Sequence, residues 1–231
     1  RMKADLVERG IPAEKMTAVP MGVDMEEIEA HPIPPAEDPR LAGRRVLVYL
    51  GTLDRPRRIE VLFQMLAIVR KQEPAALLVL VGDTADDAHR QWLKRQAELA
   101  GVTEHVLWTG WLPMREGWRY VRAAEVGLSP FPRGFLLDSA SPTKVPEYLA
   151  LGVPVVCNDN PDQQWLIESS GAGRCVPYKA ESFAAATLEL LKLDASGRHR
   201  MVEHCRSFIQ QHRSYEVISA AVAATYRGMN A

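Results

Sequence analysis

The sequence has no apolar run approaching the roughly 18–20 residues that cross a bilayer, which argues against a membrane-spanning helix. It has almost no net charge. Its 28 Lys and Arg stand against 29 Asp and Glu, a balance of -1 that excludes the overall basic field expected of a nucleic-acid-binding protein. Cysteine is scarce and odd in number. Cys157, Cys175 and Cys205 include no CxxC spacing, so free, mostly buried thiols in a reducing compartment are expected. The six histidines are scattered, and His199 and His204, five apart, do not share a helical face, which speaks against a structural metal. There is no GxGxxG, so dinucleotide binding of the dehydrogenase kind is unsupported. No serine–histidine–aspartate arrangement and no DxD metal motif is evident. No signal peptide is visible at the start. The chain opens on Arg1 with a helix that lacks any lead-in, and is expected to be a piece of a longer protein.

What is present is strongly patterned. A chain of 231 residues, 47% of them hydrophobic, can bury one large core or two small ones. Residues 2–9 read as a helix stopped by Gly10-Ile-Pro12, and residues 16–20 as a short strand. Residues 31–39, rich in proline and acidic side chains, read as an irregular connector. Beyond them apolar strands alternate with helices. Strands are expected at 45–50, 76–81, 105–109, 126–129, 153–157 and 174–176. Helices are expected at 57–71, 85–100, 115–124 and 162–169, after Ser141, and from Glu181, Ser196 and Tyr215. Strands apolar throughout predict an α/β fold, a doubly wound, Rossmann-like parallel sheet with helices on both faces. Gly51, Gly82 and Gly110 follow the first three strands, and ligands of such sheets sit in the crevice at the carboxyl ends.

The stretch Ser141-Pro-Thr-Lys-Val-Pro-Glu-Tyr-Leu-Ala-Leu-Gly-Val-Pro-Val-Val156 reads as a helix, a glycine stop and a buried strand. A start at Pro142 would use Ser141 as its cap. A start nearer Thr143 puts Pro146 in the first turn, where its missing N–H costs little. Either start aims free N–H groups and the positive dipole end at the crevice, a seat for phosphate. Lys144 adds a mobile positive charge. Glu147, three residues on, shares its face and suits two ribose hydroxyls. The bland alternative is a capped helix with a surface Lys–Glu pair. The loop Gly51-Thr-Leu-Asp-Arg-Pro-Arg-Arg58 gathers Arg55, Arg57 and Arg58, whose guanidinium groups suit phosphate; its alternative is a solvated turn. Gly82-Asp83 and Gly110 frame a base or are ordinary strand-to-helix turns. The apolar loop from Phe131 to Asp138 suits the wall of a sugar pocket, and Asp159 and Asp162 are expected as helix caps. Trp108, Trp111, Trp118 and Trp165 are expected in packing.

With these residues, the chain resembles the carboxyl-terminal, donor-binding half of retaining glycosyltransferases of the GT-B fold, family four, the glycosyl transferases group 1. The likeness runs from about Met16 onward. The family's Val-Pro-Asn-Gly-Val-Asp signature has its counterpart in Val19-Pro-Met-Gly-Val-Asp24. Its glycine loop corresponds to Gly51 to Arg58, and its strand-end turns to Val81-Gly-Asp83 and Trp108-Thr-Gly110. The specific match is Ser-Pro-x-Lys-x-x-Glu-Tyr-x-Ala-x-Gly-x-Pro-Val-Val, intact from Ser141 to Val156.

The resemblance implies that residues 1–36 are a connector from an amino-terminal half and residues 37–231 a nucleotide-sugar-binding domain with its carboxyl-terminal helices. It implies catalytic roles for Arg58 and Lys144. It implies donor contacts from Gly51, Thr52, Arg57, Gly82, Gly110, Asp138, Ser139, Ser141, Pro142, Thr143 and Glu147. Glu147 would hold the ribose, and residues 141–144 the diphosphate. The substrate would be a nucleoside diphosphate sugar, with no metal or other cofactor and no nucleic acid. The partner would be the missing acceptor domain, without which the piece is expected to be inactive. The parent enzyme is expected in the cytoplasm, with peripheral membrane association left open. Three positions depart from the family. Ser139 stands where a first glutamate often precedes the second by eight positions, with Asp138 adjacent; Thr52 replaces an arginine and Met21 an asparagine. Two alternatives remain, a sugar-nucleotide epimerase of related fold and a non-catalytic nucleotide-sugar-binding or scaffold module, which the departures at Ser139 and Thr52 would support.

Overall fold

The computed structural model describes residues 2–229. The chain opens with α1 (Met2–Glu8) and a 3₁₀ turn (Ala13–Lys15), then runs to α2 (Met25–Ala30). Residues 16–20, expected as a strand, have no regular structure. A strand needs a ladder partner, and among the described residues the nearest pairing is the isolated bridge of Val23 with Ser214, beyond this segment. α2 is an element the sequence reading lacks. Its signal is Asp24-x-x-Glu27, a capping pattern in which the Asp24 carboxylate accepts from the Glu27 N–H at 2.9 Å.

Strands and helices then alternate. β1 (Arg45–Leu50), α3 (Val61–Val69), β2 (Ala76–Val81), α4 (Asp87–Leu99), β3 (Val106–Gly110) and α5 (Met114–Arg122) form the first half. β4 (Val126–Ser129), α6 (Lys144–Ala150), β5 (Val155–Asn158), α7 (Pro161–Ser170), β6 (Gly173–Val176) and α8 (Ala180–Leu191) form the second. α9 (Ala195–His212) and α10 (Tyr215–Met229) finish the chain. All six strands are parallel, in the order β3-β2-β1-β4-β5-β6. The winding direction reverses between β1 and β4, and a crevice opens outside the carboxyl ends of strands at such a point.

The pleat explains why the strands are apolar throughout. Leu47 and Tyr49 enter a core shared with Leu62 and Leu66 of α3 and Phe183 of α8. Val46 and Val48 enter the opposite core, with Trp118 of α5, Leu149 of α6 and Ile209 of α9. Every residue of β2 is buried, as both-face coverage requires. Val23, Met25, Ile28 and Ile33 also lie in the second core. The Val23 N–H donates to the Arg213 carbonyl at 2.8 Å, and the Tyr215 N–H donates to the Val23 carbonyl at 3.0 Å. The segment around Val23 is thereby laced to the junction of α9 and α10.

One helix starts later than expected. Residues 57–60 do not join α3, because Arg58 is left-handed at φ 48° and follows the 3₁₀ turn Arg55–Arg57. A left-handed residue cannot continue a right-handed helix.

Candidate functional site

The crevice floor is built by the tyrosine of the Ser141–Val156 stretch. β1 and β4 pair only through Leu47 with Val126 and Val48 with Gly127, then diverge. The Leu50 N–H, left without a strand partner on that side, donates instead to the Tyr148 hydroxyl at 2.7 Å. The fully buried Tyr148 ring lies against Gly127, where a Cβ would come within 2.5 Å of it. Gly127 and Tyr148 are therefore one device that holds the strands apart at the switch point. The sequence shows both residues, but only the fold shows that they touch.

α6 begins at Lys144, with Thr143 in the cap position and Pro146 in the first turn, the later of the two expected starts. Pro142 is buried just before it. The Lys144 side chain runs across the end of β1. A Cβ on Gly51 would lie 2.8 Å from both Lys144 Cε and Nζ, and Gly51 adopts φ 138°. A Cβ on Gly82, at φ 133°, would lie 2.2 Å from the Gly51 carbonyl oxygen. These two glycines let the strand ends and the lysine share one space. Gly110 continues the series, its carbonyl accepting from the Gly82 N–H at 3.1 Å.

Three cations gather at this mouth, and each rests on an aromatic face. Lys144 Nζ lies 5.0 Å from the Tyr49 ring centre, the Arg57 guanidinium 5.0 Å from that of Phe131, and the Arg58 guanidinium 5.8 Å from that of Tyr178. The Tyr178 hydroxyl also donates to the Arg58 carbonyl, which fixes the left-handed turn. Arg58 lies 3.6 Å from the Glu60 carboxylate and is otherwise largely exposed. An aromatic face attracts a cation but does not cancel its charge. Burial, and next the Arg57 charge, push the Lys144 ammonium down to about 8, against the pull of Glu147. Such a cluster gains when an anion arrives. Glu147 stands one turn along α6, half-buried, beside the Thr143 hydroxyl and the Trp118 indole, and burial raises its carboxyl above the usual range. Thr52 lies on the same rim, its carbonyl accepting from the Tyr49 hydroxyl at 2.9 Å.

The remaining expected residues form a second group. Asp138, Ser139 and Ser141 line a cavity of about 800 Å³ between the segment 16–21 and the first turn of α7. They are engaged with protein. The Asp138 carboxylate accepts from Arg133 Nε at 2.7 Å and Nη2 at 3.0 Å, and from the Gly134 N–H at 3.2 Å. The Ser139 hydroxyl donates to the Phe135 carbonyl at 3.3 Å. Ser141 does not cap α6. Its hydroxyl accepts from the Met21 N–H at 3.0 Å and donates to Asp162 at 2.7 Å.

Asp159 and Asp162, expected as helix caps, are ion-pair partners instead. Asp159 meets Arg133 at 3.1 Å, and Asp162 meets the buried Arg213 at 2.6 Å. The N-terminal cap position of α7 belongs to Asn160, whose side chain accepts no capping bond. Arg213 is the residue that sequence reasoning missed. It also donates to the Met21 carbonyl at 3.2 Å, reaches Ser141 at 3.4 Å and stacks 4.9 Å from the Trp165 ring centre. It joins four separate segments, and nothing near it in the sequence announces that.

Six parallel strands in this order, covered on both faces and open at the switch point, define a doubly wound, Rossmann-like domain. The chain belongs to the glycosyl transferases group 1 family, which matches residues 44–193. It is similar to alpha-monoglucosyldiacylglycerol synthase of Streptococcus pneumoniae, with 29% identity over 64% of this chain and 32% of that protein. It is also similar to the putative colanic acid biosynthesis glycosyltransferase WcaL of Escherichia coli, with 23% identity over 97% of this chain and 54% of that one. Among solved structures, HepE of Anabaena in complex with UDP superimposes with a TM-score of 0.76 at 16% identity, covering 98% of this chain and 61% of that one. The fold is thus the expected GT-B half. The chain spans only a third to about half of the two curated relatives. Among the described residues, no helix is long and apolar enough to cross a membrane.

Proposed function

We propose that this chain is the donor-binding half of a glycosyltransferase that moves a sugar from a nucleoside diphosphate sugar to an acceptor hydroxyl with retention of configuration. The observation that carries the reading is the Lys144 ammonium, buried against Gly51 beside Arg57 and one turn from Glu147. On this reading Lys144, Arg57 and Arg58 receive the diphosphate, and Glu147 accepts from the two ribose hydroxyls. Catalysis is then positioning plus stabilisation of the departing diphosphate by side chains, without a metal. Acceptor binding belongs to an amino-terminal half, and peripheral membrane association of the parent remains part of the proposal.

Calorimetry with UDP, GDP and ADP tests it, and UDP comes first because the HepE structure contains UDP. One of the three should bind, and Glu147→Ala should weaken it roughly 30-fold by removing two charge-assisted hydrogen bonds. Binding of none would refute the donor reading. The engagement of Asp138 with Arg133, beside Ser139, favours a second reading, a nucleotide-binding module without transfer. A full-length parent that binds nucleotide sugar but transfers nothing would establish that reading.

A further inference from the structure

Two of the three thiols, distant in sequence, are neighbours in the sheet. Cys157 and Cys175 are paired directly in the parallel ladder between β5 and β6. Both side chains pack on the same face, in the second core. Parallel strands lie about 4.8 Å apart, inside the range of about 4.4–6.8 Å that disulfides span between Cα atoms. The two thiols are register partners on one face of the sheet, and they differ in access. Cys157 is fully buried, and burial holds its proton, whereas Cys175 lies half-buried on edge strand β6 and is made more acidic by the Cys157 thiol. Cys205 lies apart on α9, its thiol donating to the Met201 carbonyl at 2.7 Å.

We propose that Cys157 and Cys175 are a reversible dithiol–disulfide pair, oxidised by a peroxide. The accessible Cys175 reacts first. Its thiolate attacks one peroxide oxygen and the O–O bond breaks. Sulfur keeps one hydroxyl as a sulfenic acid, and the departing hydroxide takes up the thiol proton as water. The Cys157 sulfur then displaces that hydroxyl, which leaves as a second water with the Cys157 proton. Two thiols lose two electrons and the peroxide gains them.

Each cysteine lies a short way along the chain from a residue tied to an arginine seat. Cys157 precedes Asn158, whose side chain accepts from the Phe131 N–H at 2.6 Å and donates to the Phe131 carbonyl at 2.8 Å. Cys175 lies three residues before Tyr178, which holds Arg58. A disulfide needs Cβ atoms about 3.5–4.5 Å apart, closer than the usual strand spacing, so closing it draws β6 toward β5 and shifts Tyr178.

The test is exposure of the purified chain to hydrogen peroxide, followed by non-reducing digestion and mass spectrometry. The expected product is one intramolecular cross-link between the peptides of Cys157 and Cys175, lighter by two hydrogens and reversed by dithiothreitol. Cys205→Ser should leave it intact. Cys175→Ser, at the half-exposed position and with circular dichroism checked against the parent, should abolish it. Oxidised protein in which Cys157 and Cys175 both remain alkylatable, or in which the cross-links involve Cys205 or a second chain, would overturn the proposal.

Discussion

Replacing Lys144 with methionine should make the ligand-free protein more stable and its nucleotide binding weaker. Burial moves the Lys144 ammonium from 10.5 down to about 8. At ~1.4 kcal/mol per pH unit, holding that charge in the folded protein at pH 7 costs about 3 kcal/mol. Methionine keeps the length of the side chain and removes the charge. The sign follows from proton linkage. Below pH 8 the lysine is charged in both folded and unfolded chains, so folding bears the full cost. Between about 8 and 10.5 the folded protein releases the proton first, and the cost fades as pH rises. Urea denaturation from pH 7 to 10 should therefore show Lys144→Met more stable by about 2–3 kcal/mol at pH 7, with the gap closing toward pH 10. Calorimetry with the nucleoside diphosphate that binds the parent should show affinity reduced roughly tenfold to a hundredfold. A variant less stable than the parent at pH 7, or a difference that ignores pH, would refute the argument that this cation lacks full compensation.

Other perturbations follow from the same geometry. Gly51→Ala forces a left-handed residue and a Cβ against Lys144, so it should cost about 2 kcal/mol in urea denaturation and weaken nucleotide binding together with stability. Gly127→Ala drives a methyl into the Tyr148 ring and should cost about 1–3 kcal/mol, measurable as a lowered thermal midpoint. Arg213→Met strands the Asp162 carboxylate and cuts the ties to Met21 and Ser141. A loss of about 3 kcal/mol is expected, and an unchanged midpoint would show the latch to be without weight. Binding by the parent protein should also weaken as pH rises past 8, because Lys144 is then partly neutral; affinity constant from pH 7 to 9.5 would exclude it from the diphosphate seat.

Most of the sheet was legible because a strand covered on both faces must be apolar along its whole length, as 45–50 and 76–81 are. The expected strand at 16–20 failed for want of a ladder partner, which residue type cannot supply. The helix expected from Arg57 failed at one left-handed residue, held by Tyr178 from 120 positions away. In the site, Lys144 and Glu147 were legible because one helical turn separates them. Asp162, expected as a cap, and Ser141, a cap only for the earlier of the two helix starts, are both taken by Arg213, about which local spacing is silent.

By itself the sequence determined the layered α/β architecture and the one-turn spacing of Lys144 and Glu147. These depend on periodicity, a property of neighbours along the chain. Only the tertiary structure decided that Gly51 makes room for Lys144, that Tyr148 spans the gap between β1 and β4, and that Cys157 faces Cys175. Those depend on strand order and register, which bring together residues whose separation along the chain carries no signal.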